Sequence, residues 1–89
     1  MIEFDEYKVK LNNIKPTLVD LRASLDIDAA QAEVEKLEAE SAQDGFWNDL
    51  ENSQKVLQKI KQLKNKCDKY NKLASQHEDL MTLCEMAIE

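Results

Sequence analysis

From residue 56 to residue 88 an apolar or neutral side chain returns every three or four positions without a miss: Val56, Ile60, Leu63, Cys67, Tyr70, Ala74, His77, Met81, Cys84 and Ile88. Steps that alternate between three and four keep all of these on one side of an α-helix, and they cannot fit a strand, whose side chains alternate with a period of two. A helix carrying this stripe, from about residue 49 to 88, extends about 60 Å at 1.5 Å per residue. A chain of 89 residues then has room for little besides shorter helices laid against it. Leu57, Leu73, Leu80 and Leu83 widen the stripe, which suits contact with more than one partner helix better than a two-stranded seam.

The first segment repeats the pattern. Phe4, Tyr7, Leu11, Ile14, Leu18, Leu21 and Leu25 again step by threes and fours, which predicts a helix over about 3–24. Pro16 interrupts it by removing one backbone hydrogen bond and crowding the carbonyl of Asn12, so a kink is expected near residues 12 to 16. In "LDID", Asp26 and Asp28 are good N-cap residues, and Gln31 stands three after Asp28 as in a capping box. A second helix is therefore expected over about 29–43, with Ala30, Val34 and Leu37 inward. Gly45 is the only glycine and reaches the left-handed conformation without a Cβ penalty. Asn48, with Glu51 three residues on, is expected to cap the third helix.

These elements predict an all-α fold over residues 1–89, read as a single helical domain. It is an antiparallel, coiled-coil-like bundle in which two shorter helices pack on one long C-terminal helix. Phe46 and Trp47 fall at the tip between helices two and three, where diverging helix ends leave an apolar gap, and the pair is expected to plug it as a buried anchor. A second helix of about 15 residues covers only the first part of helix three. Helix one either lies antiparallel along the remaining stripe or folds back on helix two. Both arrangements leave apolar surface bare around Leu73, Leu80, Met81 and Leu83, so self-association through residues 67–88 is expected, most simply as a twofold dimer.

No catalytic constellation is visible. His77, the only histidine, shares its stripe with Cys67 and Cys84, but spacings of ten and seven residues put the three side chains about 10–15 Å apart, too far for one metal ion. They are read as core residues, with both cysteines as reduced thiols. One glycine excludes a phosphate-cradling glycine-rich loop, and the carboxylates of helix two lack an apolar pocket that would suit them to acid–base work. The chain is expected to be no enzyme, to use no cofactor or metal, and to contact no membrane, since its apolar runs fall far short of the roughly 20 residues that span a bilayer. A cytoplasmic location follows from the same reading. Charge is uneven: residues 1–49 hold 5 Lys/Arg against 12 Asp/Glu, and all seven basic residues of the second half lie between Lys55 and Lys72. Such a row usually lines a solvated face, and the alternative partner is RNA phosphate.

The stretch "LRASLDIDAAQAEVEKLEAESAQDGFWND", residues 21–49, resembles the start of bacterial peptide chain release factor 2, which shows a Leu-Arg pair, a Ser-Leu-Asp step, a Glu-rich helix and a Phe-Trp or Val-Trp turn followed by Asn or Asp. "ENSQKVLQKIKQL", which follows, fits that family too. The resemblance implies the N-terminal helical domain of a factor that acts at UGA or UAA codons. It also implies a ribosomal partner: the factor-binding region of the large subunit near its stalk base. The family's Gly-Gly-Gln and Ser-Pro-Phe motifs have no counterpart here, so no catalytic or codon-reading residue carries over. Lys55, Lys59 and Lys66, which share one exposed face of helix three, are the expected contacts with ribosomal RNA. The competing reading is an unrelated coiled-coil adaptor of similar composition.

Overall fold

The computed structural model describes residues 2–88, and among these all regular structure is helical. Helix α1 spans Ile2–Leu25, α2 spans Ile27–Ser41, a single 3-10 turn spans Phe46–Asn48, and α3 spans Leu50–Ile88. The chain divides into two compact units, residues 26–69 and residues 1–25 with 70–89, so α3 contributes one half of its length to each.

The unit of residues 26–69 is an antiparallel hairpin. Val34 and Leu37 from α2, Phe46 from the turn, and Val56 and Ile60 from α3 form its buried cluster, with Leu63 packed against them. Ala30 is buried too, so the inward face expected for α2 is the one observed. Across the hairpin Lys64 pairs with Glu38. In the other unit α1 runs antiparallel to residues 70–88 of α3. Three contacts establish the direction, because residue numbers fall on one side as they rise on the other: Leu18 with Tyr70, Leu11 with His77, and Lys8 with Glu85. Of the two arrangements the sequence left open, helix one therefore takes the one along the C-terminal half of helix three. It buries Tyr70, Met81 and Cys84, so Met81 does not belong to the bare apolar surface.

The helix boundaries follow local chemistry that the sequence reading placed slightly differently. Pro16 lies inside α1, which is helical on both sides of it. The link to α2 is one residue long: Asp26 adopts the left-handed conformation (φ 53°, ψ 51°), which Asp tolerates better than most non-glycine residues. α2 therefore starts at Ile27, two residues before the expected Ala29. Asp26 makes no side-chain cap, because a capping side chain needs extended backbone to aim at the first-turn amides. Its carbonyl instead accepts from the Ala30 N–H at 2.9 Å.

α2 ends at Ser41, short of residue 43. Its last turn tightens into bonds from Ala42 N–H to Ala39 O (3.2 Å) and Gln43 N–H to Glu40 O (3.1 Å). Gly45 is left-handed, φ 83°, as its position suggested. An added Cβ there would meet only the Asn48 side chain, at an ordinary 3.5 Å, so the backbone angle and not crowding selects glycine.

The cap of α3 is Asp49, one residue later than expected. Asn48 still belongs to the 3-10 turn, its N–H donating to the Gly45 carbonyl at 3.1 Å. Asp49 is extended, and its Oδ1 accepts from the Asn52 N–H at 3.1 Å, the bond an N-cap carboxylate makes to the third residue of its helix. Glu51 does not reach back and instead pairs with Lys55 at 3.3 Å. Ser53 seals the corner. Its buried hydroxyl donates to the Asp49 carbonyl and has the Phe46 carbonyl 3.4 Å away as a second acceptor.

Candidate functional site

Three surface features carry chemistry: the hairpin tip, the basic face of α3, and an apolar groove between α1 and the end of α3. At the tip, Phe46 and Trp47 do not act together. Successive residues of a 3-10 turn point about 120° apart, so adjacent side chains cannot both enter the narrow space between two helices. Phe46 enters it and is 8% exposed; Trp47 stands outside at 57%, touching Phe46 edge to face with ring centroids 5.2 Å apart and planes at 87°. The expectation of a buried aromatic pair is thus corrected to one anchor, Phe46, and one exposed indole. Leu50, three residues on, is 67% exposed.

Lys55, Lys59 and Lys66 fall within about 40° of one another around α3 at 100° per residue. Lys55 and Lys59 are exposed and Lys66 is half-buried beside the core stripe. Lys59 and Lys66 have no ion-pair partner among the described residues, whereas Lys55 is held by Glu51. Lys64 lies on a different side. The hydrogen bond that the Lys64 ammonium donates to Glu38, and then the charge of Glu38, hold this ammonium above the usual lysine value, so whatever this exposed pair contributes is complete at neutral pH and fades as pH rises through that raised value.

The groove in the other unit is lined by Phe4, Tyr7, Lys10, Leu11, Leu80, Leu83 and Cys84, and Leu73, Leu80, Leu83 and Met86 are exposed nearby on α3. The His77 Nε2 lies 2.6 Å from the Leu11 carbonyl. A carbonyl only accepts, so this nitrogen carries the proton and donates, an interhelical bond that no helical periodicity announces. The Tyr70 hydroxyl donates to the Leu18 carbonyl at 3.4 Å, and the Arg22 guanidinium sits over the Tyr70 ring, 5.6 Å from its centre. Cys67 and Cys84 are buried free thiols. Among the described residues no group of three His, Cys, Asp or Glu side chains could hold a metal ion, and no helix is long and apolar enough to cross a membrane.

No protein-family model matches the chain, and no solved structure does. Individual relatives are informative. Peptide chain release factor 2 of Lactiplantibacillus plantarum is 35% identical over 88 residues, 99% of the chain. That of Petrotoga mobilis is 36% identical over 89 residues, 100% of it, and that of Borreliella burgdorferi 39% identical over 80 residues, 90%. The chain is homologous to part of peptide chain release factor 2. It spans under a quarter of these relatives, 23%, 23% and 22% of their lengths, an extent consistent with the N-terminal domain of release factor 2. The similarity is not confined to the distinctive residues 21–49; it takes in all three helices.

Proposed function

We propose that this chain is the N-terminal, ribosome-facing helical domain of a cytoplasmic release factor that directs termination at UGA and UAA codons. The observation that carries the reading is the 35–36% identity to release factor 2 over 99–100% of the chain. In this reading codon recognition and hydrolysis of the peptidyl-tRNA ester belong to other parts of the factor. A sequence with one glycine contains no Gly-Gly-Gln, and this domain is not itself an enzyme. Its role is to hold the factor against the factor-binding region of the large subunit near the stalk base.

Lys55, Lys59 and Lys66 meet ribosomal RNA there. Lys59, exposed and without an ion pair, is the strongest contact, since Lys55 must first be shared with Glu51 and Lys66 is half-buried. Neutralising phosphates releases counterions, so affinity falls as salt rises. The expected result is that the purified chain co-sediments with large subunits at low salt, loses them on raising it, and releases no peptide from ribosomes stalled at a stop codon. Reversing the three lysines is expected to reduce both the affinity and its salt slope. Failure to co-sediment at low salt, or stop-codon-dependent release by this chain alone, would refute the proposal.

The exposed Leu73, Leu80, Leu83 and Met86 also bear on the isolated chain. In this reading two copies bury these side chains against each other as a twofold dimer through residues 67–88. Sedimentation equilibrium at micromolar concentration checks it. A stable 10.3 kDa species would mean that α1 alone leaves the surface tolerable.

A further inference from the structure

We propose that the hairpin tip is a docking point for a basic protein surface, with Trp47 and Leu50 entering an apolar recess and the surrounding carboxylates meeting lysines and arginines on its rim. The proposal rests on the ribosomal reading above and names the kind of partner this end of the domain takes.

Two observations combine. First, Trp47 and Leu50 are more than half exposed within four residues of each other, while the neighbouring Phe46 already fills the gap between the helices. The indole is therefore not needed to close the core. Tryptophan, with tyrosine and arginine, is enriched among the residues that dominate binding at protein interfaces. An exposed indole could equally stack on a nucleobase, since stacking ignores sequence.

The second observation decides between them. From Leu37 to Gln54 the chain has no Lys or Arg and carries Glu38, Glu40, Asp44, Asp49 and Glu51. Glu38 and Glu51 are paired with lysines. Glu40, Asp44 and Asp49 instead line a shallow notch beside the turn. The N-terminus of α3, the one local feature that would favour an anion, is already answered by Asp49, whose carboxylate takes the Asn52 amide. A phosphate brought to this stretch of net negative charge is repelled, the more so at low salt. A guanidinium or ammonium is drawn in, and an arginine can also lie on the free face of Trp47. The tip and the lysine row of α3 are thus of opposite sign and suit different partners.

The test compares two probes, purified large ribosomal subunits and protein-free large-subunit ribosomal RNA, with the chain carrying a fluorescent label at its N-terminus. Trp47→Ala is expected to weaken binding to subunits about tenfold or more, and the double variant Glu40→Lys, Asp44→Lys to weaken it as well, with no Trp47-dependent binding to the RNA. Thermal melting confirms that each variant is folded. If Trp47→Ala melts below the assay temperature, Leu50→Lys, at a position outside the core, puts the same question. Binding to subunits that neither Trp47→Ala, Leu50→Lys nor the charge reversal changes overturns the docking point and leaves the ribosomal reading standing. Trp47-dependent binding to protein-free RNA overturns it in favour of base stacking. No binding of the wild-type chain to subunits removes both readings.

Discussion

Phe46→Ala is expected to destabilise the unit of residues 26–69 by about 3–5 kcal/mol, the range found when a buried aromatic is cut back to alanine. The ring is buried among Val34, Leu37, Val56 and Ile60, and alanine leaves a void at the point where α2 turns into α3. At about 0.05–0.15 kcal/mol per residue, a unit spanning residues 26–69 holds only about 2–7 kcal/mol, so most of this unit's margin would go, and a large fraction of the hairpin would be open at physiological temperature. Trp47→Ala, next door, is expected to cost only about 0.5–1.5 kcal/mol, the scale of an aromatic edge contact, because most of its surface is already in water. Urea unfolding followed by circular dichroism measures both. Equal losses for the two variants would show that Trp47, and not Phe46 alone, closes the hairpin.

Tyr70→Ala is the corresponding change in the other unit, with an expected cost of about 3–5 kcal/mol. Its ring is buried where α1 crosses it, with Arg22 over its face and its hydroxyl on the Leu18 carbonyl. Tyr70→Phe keeps the ring and removes one long hydrogen bond, so about 0.5–1.5 kcal/mol is expected. Amide hydrogen exchange locates the effect: α1 and the C-terminal half of α3 should exchange faster in Tyr70→Ala than in Tyr70→Phe. If the two variants exchange alike, the hydroxyl rather than the packed ring holds α1 in place.

These residues also show how far the sequence could be read. The stripe on α3 was visible because helical periodicity reports burial directly. Val56, Ile60, Cys67, Tyr70, Met81 and Cys84 are all buried. The same logic was less reliable on α1, where Tyr7 and Ile14 carry the period yet stay exposed. A helix with a single neighbour buries a narrower face than its apolar pattern offers. Caps were harder still. Asn48 and Asp49 are both competent, and which one caps depends on where the preceding turn ends, a matter of backbone geometry. The split between Phe46 and Trp47 had no sequence signal, since two adjacent aromatics look alike until the 3-10 turn sends them apart. The lysine row was legible as a row, but only the structure distinguishes Lys55, tied to Glu51, from Lys59 and Lys66.

The two cysteines are distributed so that each unit holds one, Cys67 in residues 26–69 and Cys84 in the other. Both thiols are buried, and a thiol reagent can attack only when the helix covering it lifts away. Modification at position 67 therefore reports on the unit of residues 26–69, and modification at position 84 on the unit that pairs α1 with the end of α3. With one cysteine replaced by alanine or serine at a time, the wild-type framework supplies its own pair of kinetic clocks, able to time how often each half breathes without any probe being grafted on.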